Sequence, residues 1–397
     1  MHYTLCLPTE AAARDAAAEL VAMGHRLTAV RVHDHFRFEP SSFWYGKPPT
    51  DPELEGWWQV FSLAVYSGHD RMALEPFLRS ERIRVAQLAR VHGGFYQGCS
   101  EGHAETLERV FPRAGLLHEQ DRAEVPLPTP MPAEPARPPA APAWPSSELG
   151  EPGFVVQAVV TAAERLYRTE ENAPAAAAWL LAENFAFGEP YETAYGFLGD
   201  LADAVAHQGT CTDTTVEAIP FLAELIQDDA VPVACRLILL DDLLRLSVTG
   251  PSLAVSLADR TTALGTARQE PPADELTRRA IGRELPRLLT LWDRESDAVR
   301  FTLAALATVY GEQSWPVRSR LAELHAPADT SRGQIVALVT ALADADEDAL
   351  AQVLGRLSAW LPHVEEEMSS PNVPLRDLAL AVLPDLVMGE VESAIGL

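Results

Sequence analysis

The sequence predicts a multidomain protein: an α+β domain at the N-terminus, then an all-α array of paired helices. Three observations carry this prediction. Strand and helix patterns alternate only in the first 121 residues. A run of prolines follows. After it the chain shows helical periodicity and no convincing strand.

Tyr3 to Leu7 is a short β-rich run. Thr9-Glu10 then opens a helix that extends to Met23, with Gly24 placed as its C-cap. Leu27 to Phe38 alternates, with Val30, Val32, Phe36 and Phe38 on one side and Arg31, His33, His35 and Arg37 on the other. That is the pattern of a strand half-buried on a core. Ser41 to Gly56 reads as a loop, and Trp57 to Tyr66 as a second strong strand. Ile83 to Val91 is helical and stops at Gly93-Gly94. Ala104 to Phe111 is another helix, closed by Pro112. Strand–helix–strand–strand–helix begins a ferredoxin-like sandwich, with helices on one face of an antiparallel sheet and a final strand still to be placed.

Between Arg122 and Pro152 lie ten of the 31 prolines. Proline lacks an N–H and fixes φ, so this run cannot be helix or central strand. It is expected to be an extended spacer, or alternatively a ligand for a proline-binding module. The expected segments are 1–121, 122–152 and 153–397.

In the third segment, Thr214–Gln227 is expected to pair with Pro232–Ser247, and Asp274–Trp292 with Ala298–Gly311. Pro316–Leu324 should pair with Gly333–Ala343, and Ala349–Leu361 with Leu375–Val387. Apolar residues recur at helical spacing, as in Ile219, Leu222, Leu225 and Ile226. Three second helices look alike. "VPVACRLILLDDLL" carries Arg236, "SDAVRFTLAALATV" carries Arg300, and "NVPLRDLALAVLPDL" carries Arg376. Each opens after Asp or Asn and sets its Arg in the first turns, before a Leu/Ala face. This pattern resembles HEAT repeats, Ser296 to Val309 most closely. The resemblance implies a right-handed α-solenoid in which each pair buries its face on its neighbours. The three arginines are expected to be structural, bonding turn carbonyls or acids of a neighbouring pair.

Hydrophobic residues make up 47% of the chain, enough for a sizeable core. Cys6, Cys99, Cys211 and Cys235 are scattered, as expected of reduced thiols in a cytoplasmic protein. Met1 to Glu10 lacks the basic and apolar regions of a signal peptide. No stretch has the roughly 18 apolar residues of a membrane span. Net charge is −26. Up to residue 120 there are 12 basic and 15 acidic residues, a net of −3; the remainder has 19 and 42, a net of −23. A surface so negative repels phosphate, which disfavours nucleic acid. It suits a basic protein partner, although acidity can also serve solubility alone.

Candidate chemistry is sparse. His33 and His35 share a strand face, about 7 Å apart at strand spacing, where a metal or a merely solvated polar face would both fit. A third ligand would have to come from His69, His92 or His103. "HGGFYQGCSEGH" places Cys99 between His92 and His103. It is a candidate anion-binding or thiol site, or simply a turn needing positive φ at Gly93 and Gly94. Phe43, Trp44, Tyr45, Trp57 and Trp58 surround a proline-containing loop; Trp44 and Trp57 have hot-spot composition, and packing under the loop is the other reading. His207 is expected to cap a helix C-terminus. Asp241-Asp242, Asp344/Asp346/Asp348 and Glu365-Glu366-Glu367 read as solvated acids. Glu217, Glu224 and Asp228 are expected on one side of their helix and its exit, as a docking face. No catalytic residue, cofactor or metal site is assigned.

The layout of residues 1–121, with "LPTEAAARDAAAELVAMGHRLT" as its first strand–helix–strand unit, resembles the ribonuclease E inhibitor of the regulator-B type. That resemblance covers less than a third of the chain. It implies a ferredoxin-like protein that binds another protein, and no inhibitory residue carries over. The expectation is therefore a non-catalytic interaction protein, scaffold or inhibitor, that binds a basic partner. The alternative is an enzyme or small-ligand-binding protein using the Cys/His/Gly cluster.

Overall fold

A computed structural model of the chain describes residues 1–33, 52–66, 71–120, 124–128, 138–144, 194–206, 211–266, 270–311, 315–324 and 326–395. It divides into two compact units. The first gathers Met1–Pro135, Ser256–Arg268 and Leu361–Val373; the second gathers Ala136–Val255, Gln269–Trp360 and Pro374–Leu397. Each unit collects separate stretches of the chain.

The first unit is built on a five-stranded sheet. Its elements run β1 (His2–Leu7), α1 (Glu10–Ala22), β2 (Leu27–Val32), β3 (Trp58–Leu63), α2 (Arg71–Val91), β4 (Phe95–Ser100), α3 (Ala104–Val110) and β5 (Leu116–Glu119). The spatial order is β4-β1-β3-β2-β5, and every adjacent pair is antiparallel. Thr9 starts α1 by accepting from the Ala12 amide, which satisfies one of the orphan donors of the first turn.

The sheet is covered on both faces, which corrects the one-faced arrangement expected. Tyr3, Leu5, Leu7, Val30 and Val60 point into a core filled by α1 and α2, through residues such as Ala16, Leu20, Leu78 and Val85. On the opposite face, Leu27, Ala29, Phe61 and Leu63 pack with Leu107 and Phe111 of the α3 segment. Cys6, Leu54 and Phe95 also lie on that side, with Ala263 and Leu264 against them. The alternation expected in β2 fails for this reason: Thr28 and Ala29 are both buried, while Val32 is 48% exposed. Residues 34–38 lie outside the described residues.

The second unit is helical among its described residues. It contains α4 (Ala194–Val205), α5 (Asp213–Gln227), α6 (Val233–Ser247), α8 (Pro272–Leu288), α9 (Asp297–Thr308), α10 (Trp315–Arg318), α11 (Ser331–Asp344), α12 (Glu347–Leu357) and α14 (Leu375–Ile395). Helix α7 (Thr249–Leu264) contributes its N-terminal half here and its C-terminal half to the first unit, which also takes α13 (Pro362–Met368). Helix α5 packs on α6 and α8, and α6 on α9, so two successive pairs stack side by side. The last helix departs from nearest-neighbour stacking: α14 packs on α6, α9, α11 and α12. In a strictly linear solenoid each repeat meets only its neighbours.

The expected helix Pro316–Leu324 is broken into α10 and a 3-10 turn, Leu321–Glu323. Tertiary contacts account for the break. Arg320 lies over the Trp292 ring and pairs with Asp293 and Glu323, while Glu323 accepts from the Trp292 indole. Among the described residues no helix is long and apolar enough to cross a membrane.

Candidate functional site

The chemically dense recess of the second unit lies where α6 and α9 begin. It is a cleft of about 590 Å3, lined by Asp229, Arg236, Arg294, Glu295, Asp297 and Arg300, with Val233 and Ser296 at the helix starts. Each helix start leaves backbone amides without intrahelical partners. At α9, Ser296 accepts from the Val299 amide.

The arginines of the cleft are all engaged. Arg236, 7% exposed, pairs with Glu295 at 2.7 Å. Burial pulls its pKa down and Glu295 opposes that pull. Arg294 pairs with Asp229 at 2.8 Å and also donates to the Gln227 carbonyl. Arg300 donates through Nε to the Trp292 carbonyl at 2.8 Å and pairs with Asp297 at 3.0 Å. Arg376, outside this cleft, donates to the Leu342 carbonyl at 3.1 Å, near the end of α11. Acids and turn carbonyls therefore hold the three repeat arginines. In the cleft, three guanidinium groups alternate with three carboxylates, which makes its rim a set of fixed donors and acceptors with no net side-chain charge.

Of Glu217, Glu224 and Asp228, only Glu217 is exposed. Glu224 is ion-paired with Arg287, which also donates to Gln227. Asp228 caps α5, and its carboxylate accepts from the Ala230 amide at 2.9 Å. Several other acids expected to be solvated are engaged. Asp241 is buried and pairs with Arg245, which also reaches Asp385. Asp344 pairs with Arg318, and Asp346 caps α12 by accepting from the Ala349 amide. Glu365 accepts from Arg79, and Glu366 from Arg82.

In the first unit, the three members of the Cys/His/Gly cluster are held separately. His92 pairs with Glu19 of α1 at 2.9 Å. Cys99 stands in β4, paired in register with Tyr3. His103 is exposed at the start of α3 and makes no side-chain cap. Half of the His92–His103 segment is strand β4, Phe95–Ser100. Only Gly93 of its first two glycines has positive φ, +74°; Gly94 is required by close approach, since a Cβ there would stand 2.1 Å from the Cys6 carbonyl oxygen. A register shift in β4 leaves Gln97 between Tyr96 and Gly98, and its amide oxygen accepts from Gln59 and from the Cys6 thiol.

Trp57 packs with Phe95 and the Cys6 side of the sheet, and Trp58 with the opposite core. Phe43, Trp44, Tyr45, His35, His69 and His207 lie outside the described residues. Among the described residues no group of three or more His, Cys, Asp or Glu side chains is placed to hold a metal ion. None of the four cysteines is in a disulfide, and Cys6, Cys211 and Cys235 are buried.

Three features had little signal in the sequence. Arg294 and Glu295 sit in the "DRES" run just before the α9 motif and complete the cleft. Arg79, Arg82 and Arg90 of α2 meet acids far along the chain. Trp144, in the proline-rich segment, stacks on Arg332. Comparison with protein-family models, with curated proteins and with solved structures returned no match.

Proposed function

We propose that this chain is a non-catalytic protein-interaction protein, of scaffold or inhibitor type, that binds a basic protein through the acidic surface of its helical unit. One observation carries the reading. After residue 120 acids outnumber basic residues 42 to 19, and the arginines of the cleft are already bonded to acids and carbonyls. The surplus charge is therefore acidic. It includes the exposed Glu217, Glu347 and Asp348. Such a field attracts a basic surface and repels phosphate, which disfavours nucleic acid.

The order β-α-β-β-α-β, with strands arranged β4-β1-β3-β2, supports a ferredoxin-like reading of the first unit, with β5 added beyond β2. The stacked pairs α5–α6 and α8–α9, with Arg236 and Arg300 near the starts of their second helices, support a HEAT-like reading of the second. Four cysteines outside any disulfide fit a reducing, cytoplasmic setting. No catalytic residue, cofactor or metal is assigned.

The test is affinity capture with the full chain, followed by association kinetics with the purified captured protein at low and high ionic strength. The expected result is a basic partner whose association slows as salt rises. An acidic protein, a nucleic acid or a rate indifferent to salt overturns the reading.

A further inference from the structure

The proline-rich segment contributes a bound side chain to the second unit. Its residues Pro138–Trp144 read "PPAAPAW" and carry no helix or strand. Trp144 lies over Arg332 of α11, whose guanidinium carbon is 3.5 Å from the ring centroid. Phe301 of α9 forms the other wall, 6.0 Å from Trp144 between centroids and tilted by 54°. Five residues before Trp144, the Pro139 carbonyl accepts from the Ser331 amide at 3.1 Å. Ser331 is the first residue of α11, so this amide has no intrahelical acceptor.

The receiving surface is held by hydrogen bonds of its own. Arg332 is 6% exposed, and its Nε donates to Glu390 of α14 at 2.9 Å. Glu390 also accepts from the Ser331 hydroxyl. One carboxylate thus fixes both the flat cation under the indole and the residue whose amide holds the extended backbone. A cation facing an indole in a desolvated site is a strong cation–π pair. Pro139 and Pro142 are three residues apart, one turn of a polyproline helix, which has little backbone freedom left to lose on binding.

We propose that the recess formed by Phe301, Ser331 and Arg332 recognises an extended, proline-rich, tryptophan-anchored segment. Pro138–Trp144 fills it in cis, and a partner protein's segment of the same chemistry displaces it. The own segment acts as a tethered competitor, because its attachment to the same chain makes its binding intramolecular.

The probe is a synthetic peptide with the sequence of residues 136–146, added to the full chain. In wild-type protein carrying 5-fluorotryptophan, the Trp144 resonance (assigned with Trp144→Phe) should shift saturably as peptide is added. Labelled peptide should bind Trp144→Ala at least tenfold more tightly than wild type. Arg332→Lys keeps the charge but loses the flat face; placed in the Trp144→Ala background, it should weaken binding at least tenfold. An unmoved Trp144 resonance at mM peptide overturns the proposal, and this titration needs no variant that might unfold. Absence of saturable binding to a Trp144→Ala chain that melts normally also overturns it. Concentration-dependent dimers formed by exchange of this segment would replace the partner with a second copy and reject the reading as stated.

Discussion

Arg79 of α2 donates to Glu365 of α13 at 3.0 Å, across 286 positions of sequence. Next to it, Arg82 bridges Glu366 and Glu75. The Arg82 side chain is 13% exposed, so these acids face a largely desolvated cation. Arg82→Ala leaves both carboxylates without their cation and should destabilise the first unit by roughly 2–4 kcal/mol. Chemical denaturation of Arg82→Ala, Glu366→Gln and the double variant measures the coupling. A coupling near zero would mean that the Arg82–Glu366 pair contributes nothing to holding α13.

A second prediction concerns the cleft. Arg236→Ala leaves Glu295, itself 8% exposed, without its partner. Breaking a buried pair from one side costs about 3–5 kcal/mol. Arg300→Ala removes a donor from the Trp292 carbonyl and should cost about 1 kcal/mol or slightly more. Both effects are read from denaturation midpoints. Partner affinity, corrected for the folded fraction, should be unchanged in Arg300→Ala; a large affinity loss with normal melting would place that side chain in the binding surface.

The adjacent acids Asp241 and Asp242 of α6 give a pH prediction. Burial pushes Asp241 up to about 6, against the pull of Arg245; burial and then Asp241 push Asp242 up to about 7. Both folded pKa values exceed the unfolded value near 3.9. The folded state therefore binds more protons between about pH 4 and 7, and this pair costs stability as pH rises through that window. Asp242→Asn mimics the protonated form. Relative to wild type it should be neutral near pH 4 and more stable by on the order of 4 kcal/mol near pH 8. Thermal midpoints of the two proteins across that range decide it. A constant difference would show that Asp242 is ionised throughout.

Local signals made β1, α1, β3 and α3 legible, because each has its period and its stop within a few residues; β2 was legible as a strand but not in its faces. Longer-range relationships were hidden. Helix α2 begins at Arg71 rather than Ile83, and Pro76 masks its first turns. Helix α7 opens with Thr249-Gly250-Pro251; the sequence looks like a turn, yet proline is tolerated in a first helical turn. Strand β4 hides among glycines, one of which is needed because β1 lies so close. Glu365-Glu366-Glu367 looks like solvated acid because its arginines lie more than 280 residues away. Cleft partners such as Arg236 and Glu295 are invisible for the same reason: periodicity gives a face, and only packing gives the partner.

Two parts of the proline-rich segment are anchored. The Val125 amide donates to the Val65 carbonyl, Val125 is 5% exposed, and Leu127 packs on the α1/α2 core. Pro138–Trp144 is held by Ser331, Arg332 and Phe301. Limited proteolysis should therefore spare 124–128 and 138–144 in the native chain. Trp144→Ala should open 138–144 to cleavage at least several-fold faster while 124–128 stays protected. Equal cleavage in both proteins would mean that the Trp144 stack contributes little to holding the segment.

The charge of the helical unit leads to the last prediction. Exposed carboxylates act over distance only when no cation cancels them. Glu217 satisfies that condition on the outer side of α5, whereas Glu224 on the same helix is already paired with Arg287. At 0.1 M salt charges beyond about 10 Å are screened, so steering by Glu217 should appear mainly in the association rate at low salt. Glu217→Lys should slow association with the captured basic partner severalfold at low ionic strength and little at high, with dissociation nearly unchanged. Glu224→Gln should behave differently, because it releases Arg287 rather than removing a free charge. Its effect should be a modest loss of stability, about 0–1 kcal/mol for a partly exposed pair, and little or no slowing of association. Stopped-flow traces of the two variants at two salt concentrations separate these outcomes. Equal behaviour of Glu217→Lys and wild type at low salt would show that the acid of this helix serves solubility alone.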